Sequence, residues 1–384
     1  MSVDSEGHRF NDDLLINNDD RDRAETIFPK LAFVLDDPDL REIFQSFDAP
    51  ANAAKKRSRM AGLSAIALGA LSLWSAAAAP LYHEWLLPKD WLLIIGVGSA
   101  LAGVLSISIG LLGVLFAGQK REWLRRRLMT ERIRQFHFQT AICRWSDIVH
   151  SAHHPESIAA YKQKRKIWFE TFVAALANHL ESELTDLIDD ESDTKCWLHP
   201  LPASFPSKPS ADLNELLSAY RELRIVHQLH YANYMLRNDQ KLSSWPARTQ
   251  EMVFSYTGLL CILGILVMHL LIAVSIILAS VLQHPEAALP AFLQYDLPNY
   301  GVHFAVIWVA IVALAARALQ EGLQPERELE RYRHYRAGIR VIRDKFDRAE
   351  APASKFEAMI EMERLTFDEM RNFLRAGLDA RFVM

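Results

Sequence analysis

The sequence predicts an all-α membrane protein, with four transmembrane helices arranged as two hairpins and a helical cytoplasmic assembly. Half of the 384 residues are hydrophobic, and the apolar residues concentrate in four long runs. About 20 apolar residues span the bilayer core, and helices of soluble proteins usually keep a polar face, which these runs lack. No segment of the sequence alternates apolar and polar residues over the length of a β-strand. The runs are Met60 to Leu81, Trp91 to Ala117, Val253 to Leu282 and Val302 to Leu319.

Basic residues beside the runs predict the orientation of the chain. Lysine and arginine concentrate on the cytoplasmic side of membrane proteins. The short connections within the two pairs of runs hold one such residue between them, Lys89. We therefore expect both termini and the long middle segment in the cytoplasm. The flanking basic residues are Lys55, Lys56, Arg57 and Arg59 before the first run, Lys120, Arg121, Arg125, Arg126 and Arg127 after the second, and Arg327, Arg331, Arg333, Arg336 and Arg340 after the fourth.

This topology divides the chain into alternating cytoplasmic and membrane segments. The segments are an acidic N-terminal region with a juxtamembrane helix (1–58), the first transmembrane hairpin (59–118), a cytoplasmic helical region (119–250), the second hairpin (251–319) and the C-terminal cytoplasmic helices (320–384).

The cytoplasmic region is predicted to be helical. Directly after the second run, apolar residues recur at near-helical spacing, which indicates an amphipathic helix. A further helix is predicted to open at Pro155, and a third at Ala211, where Ser210 is a suitable N-cap. The apolar positions of the first of these helices are Trp123, Leu124, Leu128, Ile133 and Phe136.

Two stripes of small residues mark the first pair of runs. Each stripe advances in steps of three and four, so its residues share one face of a helix. Small residues allow transmembrane helices to approach closely, which favours a tightly packed hairpin. The alternative is that the serine-bearing stripe lines an aqueous path in an oligomer. The first stripe comprises Gly62, Ala65, Gly69, Ser72, Ala76 and Ala79, and the second Gly96, Ser99, Gly103, Ser106, Gly110 and Gly113.

Two other polar features have competing interpretations. His269 lies deep in the third run, where an ionisable residue is often functional, although a neutral histidine bonded to neighbouring backbone is the simpler account. The basic run from Lys120 to Arg127 could bind anionic lipid, phosphate-rich ligands or nucleic acid. Glu122 and Glu131 interrupt it, so ordinary flanking charge with helical ion pairs is favoured, and no nucleic-acid partner is expected.

Nothing in the sequence predicts an enzyme. No G-x-S-x-G, P-loop or dinucleotide-binding context occurs, and the histidines do not form a metal-ligand set. Cys143, Cys196 and Cys261 are far apart and match no disulfide framework or zinc spacing. We expect neither a cofactor nor a metal.

Four quoted segments resemble a known family. They are "DAPANAAKKRSRM" before the first hairpin, "EWLRRRLMTERIRQFHF" after it, "YMLRNDQKLSSWPARTQ" before the second hairpin and "MIEMERLTFDEMRNFLR" near the C-terminus. Together they resemble SLATT-type bacterial membrane proteins, here as a tandem pair that covers most of the chain outside the acidic N-terminus and roughly residues 150–210. The resemblance implies a pore-forming effector of the bacterial inner membrane, often paired with nucleotide-second-messenger systems in antiviral defence.

Two functional hypotheses follow. One is a gated channel or pore that opens when the cytoplasmic helices receive a signal from a sensor partner. Because four packed helices without a strongly polar span cannot enclose an aqueous path alone, this hypothesis requires a homo-oligomer in the lipid bilayer. The other is a non-conducting membrane scaffold that anchors or regulates a cytoplasmic partner.

Overall fold

The computed structural model describes residues 12–15, 18–84, 89–115, 117–189, 195–237, 247–282 and 298–379. The structure is 90% helical, and the described residues form no strand. Four of its helices are long and apolar enough to cross a membrane, judged by length and composition. The predicted fold class is confirmed.

The helices of the described ranges are numbered in chain order. They are α1 (Asn18–Ile27), α2 (Ala32–Leu35), α3 (Pro38–Glu84), α4 (Lys89–Leu115), α5 (Ala117–Cys143), α6 (Trp145–His153), α7 (Ile158–Asp189), α8 (Ala211–Tyr220), α9 (His227–Met235), α10 (Ala247–Leu282), α11 (Pro298–Leu323), α12 (Pro325–Arg348) and α13 (Pro352–Asp379).

The chain forms two compact units, each assembled from separate stretches of sequence. The membrane unit contains the described residues of Lys55–Gly118 and Lys241–Glu326, and therefore the second part of α3 together with α4, α10 and α11. The globular unit contains the described residues of Met1–Ala54, Gln119–Gln240 and Arg327–Asp379.

The apolar helices of the membrane unit expose most of their apolar surface. None of the window Leu93–Gly110 is buried within the protein, and only 11% of Ala247–Leu271 is. Helix α10 packs against α11, and Trp74 stacks edge to face on Trp308 with ring centroids 5.8 Å apart. Such a surface suits lipid rather than water. The predicted outer connections, at residues 85–88 and 283–297, lie outside the described residues.

Helix α3 is a single helix of 47 residues, where the sequence suggests a juxtamembrane helix followed by a span. It continues through Pro50, which lacks a backbone N–H and so removes one helical hydrogen bond. Its early residues Leu40 and Phe44 are buried in the core of the globular unit, whereas Ser72 lies in the membrane unit. One helix therefore contributes to both units.

The core of the globular unit is built around α5. The predicted apolar positions of this helix are all buried, but polar side chains such as Arg132, Gln135 and Gln139 are buried as well, so α5 is amphipathic only over its first turns and is enclosed on all sides further along. Its Phe136 contacts the rings of Phe169 and Phe172 on α7, with centroids 5.2 and 5.1 Å apart. The buried positions are Trp123, Leu124, Leu128, Ile133 and Phe136, none of them more than 3% exposed.

The predicted starts of the next two helices of the globular unit are also observed. A 3₁₀ turn at Pro155–Ser157 leads directly into α7. The hydroxyl of Ser210 accepts a hydrogen bond from the backbone N–H of Leu213 at 3.2 Å, which makes Ser210 the N-cap of α8. Both starts are local features, so short-range sequence signals suffice to locate them.

A π-helical segment, Arg221–Val226, joins α8 to α9, where the sequence predicts one uninterrupted helix. The π-helix is rare and wider than the α-helix, and its short segments frequently occur at functional sites. The segment carries Arg224, which is 2% exposed. The spacing of apolar residues does not distinguish a short π-helical segment from α-helix, because over a single turn both forms place nearly the same residues on one face.

Candidate functional site

The two small-residue stripes meet at a hydrogen-bonded seam between α3 and α4. The hydroxyl of Ser72 donates to the carbonyl of Ser99 at 2.8 Å, and the hydroxyl of Ser99 donates to the carbonyl of Ser72 at 3.0 Å. Two helical turns away on both helices, the hydroxyl of Ser106 donates to the carbonyl of Ala65 at 2.8 Å. The serine hydroxyls of this antiparallel pair are thus satisfied by backbone oxygen of the facing helix.

Glycine makes room for these hydroxyls. A Cβ atom at Gly103 would lie 2.8 Å from the Ser72 hydroxyl, and one at Gly69 would lie 2.9 Å from the Ser106 hydroxyl. These distances are shorter than real Cβ contacts, so any larger residue displaces the serine. Glycine on one helix and serine on the other are therefore complementary, which favours the packing interpretation of the stripes.

The seam occupies only the middle of each stripe. A Cβ atom at Gly96 or Gly110 would meet nothing within 4 Å, and Ala76 is exposed. The surroundings of Gly113 and Ala79 are not among the described features. Gly62, at the other end of the first stripe, is buried. Gly96, Gly110 and Ala76 thus leave small, open helix faces beside the seam, whereas Gly62 does not.

His269 bonds within its own helix. Its Nδ1 atom donates to the carbonyl of Ile265, one turn earlier on α10, at 2.8 Å. The side chain is exposed on the described part of the membrane unit. This contact favours the simpler interpretation of His269, a side chain bonded to neighbouring backbone.

The basic run at the start of α5 is neutralised within the globular unit. Arg126 pairs with Glu122 at 2.8 Å, and Arg127 with Glu131 at 2.6 Å, both one turn apart on the helix. The other basic residues find partners outside α5. Lys120 donates to the carbonyl of Leu378, Arg121 and Arg125 pair with Glu181 on α7, and Arg127 also approaches Asp48 of α3. Little positive charge of this run remains for a ligand.

A buried ion pair, which the sequence reasoning missed, joins the π segment to α13. Arg224 donates from Nε and Nη2 to the two carboxylate oxygens of Glu363, at 2.9 and 3.1 Å. The Tyr220 hydroxyl donates to the same carboxylate at 2.7 Å, and Phe138 lies under the guanidinium. Glu363 is fully buried, so its charge depends on these partners. No local sequence pattern predicts this ion pair, because Arg224 and Glu363 are 139 residues apart in the sequence.

A second ionic cluster lies near the start of α12. The guanidinium of Arg331 donates a hydrogen bond to the carboxylate of Glu369 on α13, and its Nη2 atom lies 4.0 Å from Oε1 of Glu328. Burial raises the pKa of Glu369 to about 7, with Glu131 and Glu328 adding to the rise and Arg331 opposing it. By contrast, Arg127 and Arg134 overcome the effect of burial on Glu131, whose pKa falls to about 2.

The raised pKa of Glu369 predicts a loss of stability at neutral pH. Its folded-state pKa of about 7 exceeds the ordinary value of 4.5, so the folded state binds the proton more tightly than the unfolded state. The resulting stability is complete below about pH 4.5 and is lost as the pH rises through about 7. We expect Glu369→Gln to remove about 1–3 kcal/mol of this pH dependence. Tryptophan-monitored unfolding between these pH values measures it, with Glu361→Gln, at a half-exposed position, as the control. Identical pH profiles for Glu369→Gln and wild type would contradict the prediction.

These features define a class of protein: a multi-pass, all-helical membrane protein with a separate globular helical unit. Among the described residues, no group of three or more histidine, cysteine or acidic side chains could hold a metal ion. Comparisons with protein-family models, curated proteins and solved structures find no match. The resemblance to SLATT-type proteins therefore stays a prediction based on the quoted motifs.

Proposed function

We propose that this protein is a membrane effector that forms a gated channel or pore as a homo-oligomer in the bacterial inner membrane, in an antiviral defence system. Both termini and the globular unit would be cytoplasmic, as the basic flanks predict. The defence role and the membrane rest on the resemblance to SLATT-type proteins. The observation that supports gating is helix α3, which contributes to both units.

The chemistry of the seam supports a closed state. In transmembrane segments, hydroxyls and exposed glycine backbone are among the few groups that can face water without burying charge. Here Ser72, Ser99 and Ser106 bond to the facing helix, so their polar groups are hidden from any aqueous path. Separating α3 from α4 would release hydroxyls and carbonyls on both faces. A signal that moves these helices would therefore expose a polar surface that several copies could arrange around a pore.

The route to the seam runs along α3. Leu40 and Phe44 anchor its first turns in the core of the globular unit, and Ser72 lies at the seam further along the same helix. A shift or rotation of the anchored end can reach the seam without crossing a loop, as a switching element requires. The junction of α4 and α5 offers a second route, but Phe116, at that junction, lies outside the described residues.

The proposal is tested by inserting two glycines between Ala54 and Lys55, where α3 passes from one unit to the other. Each glycine costs about 1 kcal/mol of helix propensity, and two residues rotate the following helix by about 200°. We expect the insertion to abolish ion flux in proteoliposomes and toxicity in cells, while membrane insertion is retained.

Two matched controls separate the causes. The same two glycines inserted between Ser207 and Lys208, an exposed segment without helix, should leave flux unchanged. The double substitution Ala53→Gly and Ala54→Gly softens α3 without rotating it. It therefore separates the effect of helix stiffness from the effect of helix rotation. Unchanged flux after the α3 insertion would rule out coupling through α3.

A non-conducting scaffold is the second candidate. It is favoured by the hydrogen bonds of the seam, since the hydroxyls of Ser72, Ser99 and Ser106 find partners within one chain and need no water. A scaffold predicts no flux from the purified protein under any condition, with or without its cytoplasmic partner, and recruitment of that partner even after the α3 insertion. Flux from the wild-type protein in liposomes would exclude it.

A further inference from the structure

The exposed face of α12 carries arginines without partners. Arg333, Arg336 and Arg340 follow one another at steps of three and four, so they lie along one face of the helix. None of the three forms an ion pair or a hydrogen bond with any part of the chain that the structure describes. Val341, beside them, is 68% exposed. Another face of α12, with Tyr335, Ile339 and Ile342, is packed into the core of the globular unit.

Acidic side chains near this arginine face are engaged elsewhere or lie at its margins. Asp344 pairs with Arg343 at 2.9 Å, and Asp347 pairs with Arg221 at 2.7 Å. Glu330 lies one turn before Arg333 and forms no ion pair with it. The basic run of α5 differs, because four of its five basic residues, the arginines, pair with carboxylates. The unpaired positive charge therefore lies on α12 rather than on the basic run at the start of α5, which is the more prominent of the two in the sequence.

We propose that the arginine face of α12, formed by Arg333, Arg336 and Arg340, binds the anionic lipid headgroups of the membrane surface. Guanidinium groups bind phosphate oxygens in a bidentate manner. Helix α12 begins at Pro325, directly after the apolar helix α11, so its arginines lie within about 20 residues of a membrane-spanning helix, where basic residues meet the bilayer surface. This binding is independent of the proposed pore.

Nucleic acid fits this face less well. Single-stranded nucleic acid is bound by aromatic side chains on which its bases stack. The tyrosines of α12 are not available for stacking, because Tyr332 and Tyr335 are 5% and 4% exposed. The flat face of one helix also lacks the enclosing walls that a small soluble phosphate requires. A membrane surface, which presents many anionic headgroups, matches a row of three separate arginines better than nucleic acid or a small phosphate does.

The experiment uses the full chain in nanodiscs, with a fluorophore on Ala337→Cys in a Cys261→Ser background. Ala337 is exposed between the arginines, and the remaining cysteines, Cys143 and Cys196, are buried. Lipids with a spin-labelled headgroup quench the fluorophore when it approaches the bilayer. We expect quenching to increase when phosphatidylglycerol replaces part of the phosphatidylcholine, and to decrease with added salt.

Three variants distinguish the arginine face from general charge. Each basic residue near an anionic surface changes partition about fivefold, so R333Q/R336Q/R340Q should reduce quenching to the level seen in pure phosphatidylcholine. R333K/R336K/R340K should retain the effect. K162Q/K164Q/K208Q removes the same charge from exposed, unpaired lysines in the described part of the globular unit and should also retain it.

Three results would overturn the proposal. Quenching that does not depend on phosphatidylglycerol would remove the lipid contact, and quenching retained in R333Q/R336Q/R340Q would assign it to other residues. Tripolyphosphate or an oligonucleotide that binds through the three arginines, without any effect of phosphatidylglycerol, would assign the face to a soluble phosphate ligand or to nucleic acid.

Discussion

Replacing Glu363 by alanine is expected to destabilise the globular unit by about 3–5 kcal/mol, because it leaves a buried guanidinium without its counter-charge. Arg224 is 2% exposed and Glu363 is fully buried, so water cannot replace the lost carboxylate. The Tyr220 hydroxyl, which donates to Glu363 at 2.7 Å, loses an acceptor as well. This is the largest effect that we expect from one substitution in the described residues.

The buried cysteines report unfolding of the globular unit. Cys143 and Cys196 are 8% and 1% exposed, and burial raises the pKa of the Cys143 thiol to about 12, so a thiol-reactive dye labels them only after unfolding. A Cys261→Ser background removes the thiol of the membrane unit. Labelling against temperature or denaturant then gives the stability of each variant.

Two comparisons make the Glu363 prediction specific. Glu361 lies on the same helix, but its side chain is 44% exposed and pairs with Lys345, so Glu361→Ala should cost less than about 1 kcal/mol. The double variant Arg224→Met/Glu363→Leu removes both charges and should recover most of the stability. Equal effects of Glu363→Ala and Glu361→Ala would show that the buried pair is not formed.

Replacing Gly103 by leucine is expected to destabilise the membrane unit by about 1–3 kcal/mol, the usual effect of overpacking a filled contact. The new side chain must displace the Ser72 hydroxyl, which lies 2.8 Å from the position of its Cβ atom. Moving Ser72 also breaks the reciprocal hydrogen bonds with Ser99. The fraction of detergent-purified protein that stays monodisperse after heating measures the loss.

The same helix supplies the matched controls. Gly96→Leu and Gly110→Leu make the same chemical change on α4, at positions where a Cβ atom meets nothing within 4 Å. Both should retain wild-type stability. If Gly103→Leu is equally stable but conducts differently, the middle of the stripe lines a pore instead of closing a helix pair.

The helices able to span a membrane and the starts of two helices of the globular unit are predictable from sequence because their signals are local. The length and hydrophobicity of an apolar run determine whether it can cross a bilayer, and both are properties of a single helix. The apolar positions of α5 and the N-cap at Ser210 likewise depend on residues within a few turns, whereas the burial of the polar positions of α5 does not. The stripes could be recognised in the same way, since their spacing is that of one helix.

Register and long-range pairing are not local, and tertiary structure decides them. The sequence places Ser72 and Ser99 on two stripes, but only the approach of α3 and α4 makes each bond to the other's carbonyl and leaves Gly96 and Gly110 open. Counting charges along α5 suggests a binding surface, which Glu181, far away in the chain, helps to neutralise.

By itself, the sequence determined that this chain is helical, that it has four runs able to span a membrane, and where its basic flanks lie. Only the tertiary structure decided which charges are buried in pairs and which stay exposed. Arg224 and Arg333 look alike in the sequence, yet one is held by Glu363 and the other has no partner among the described residues. The physical reason is that the free energy of a charge depends on the dielectric and the partners around it, and folding brings these from distant parts of the chain.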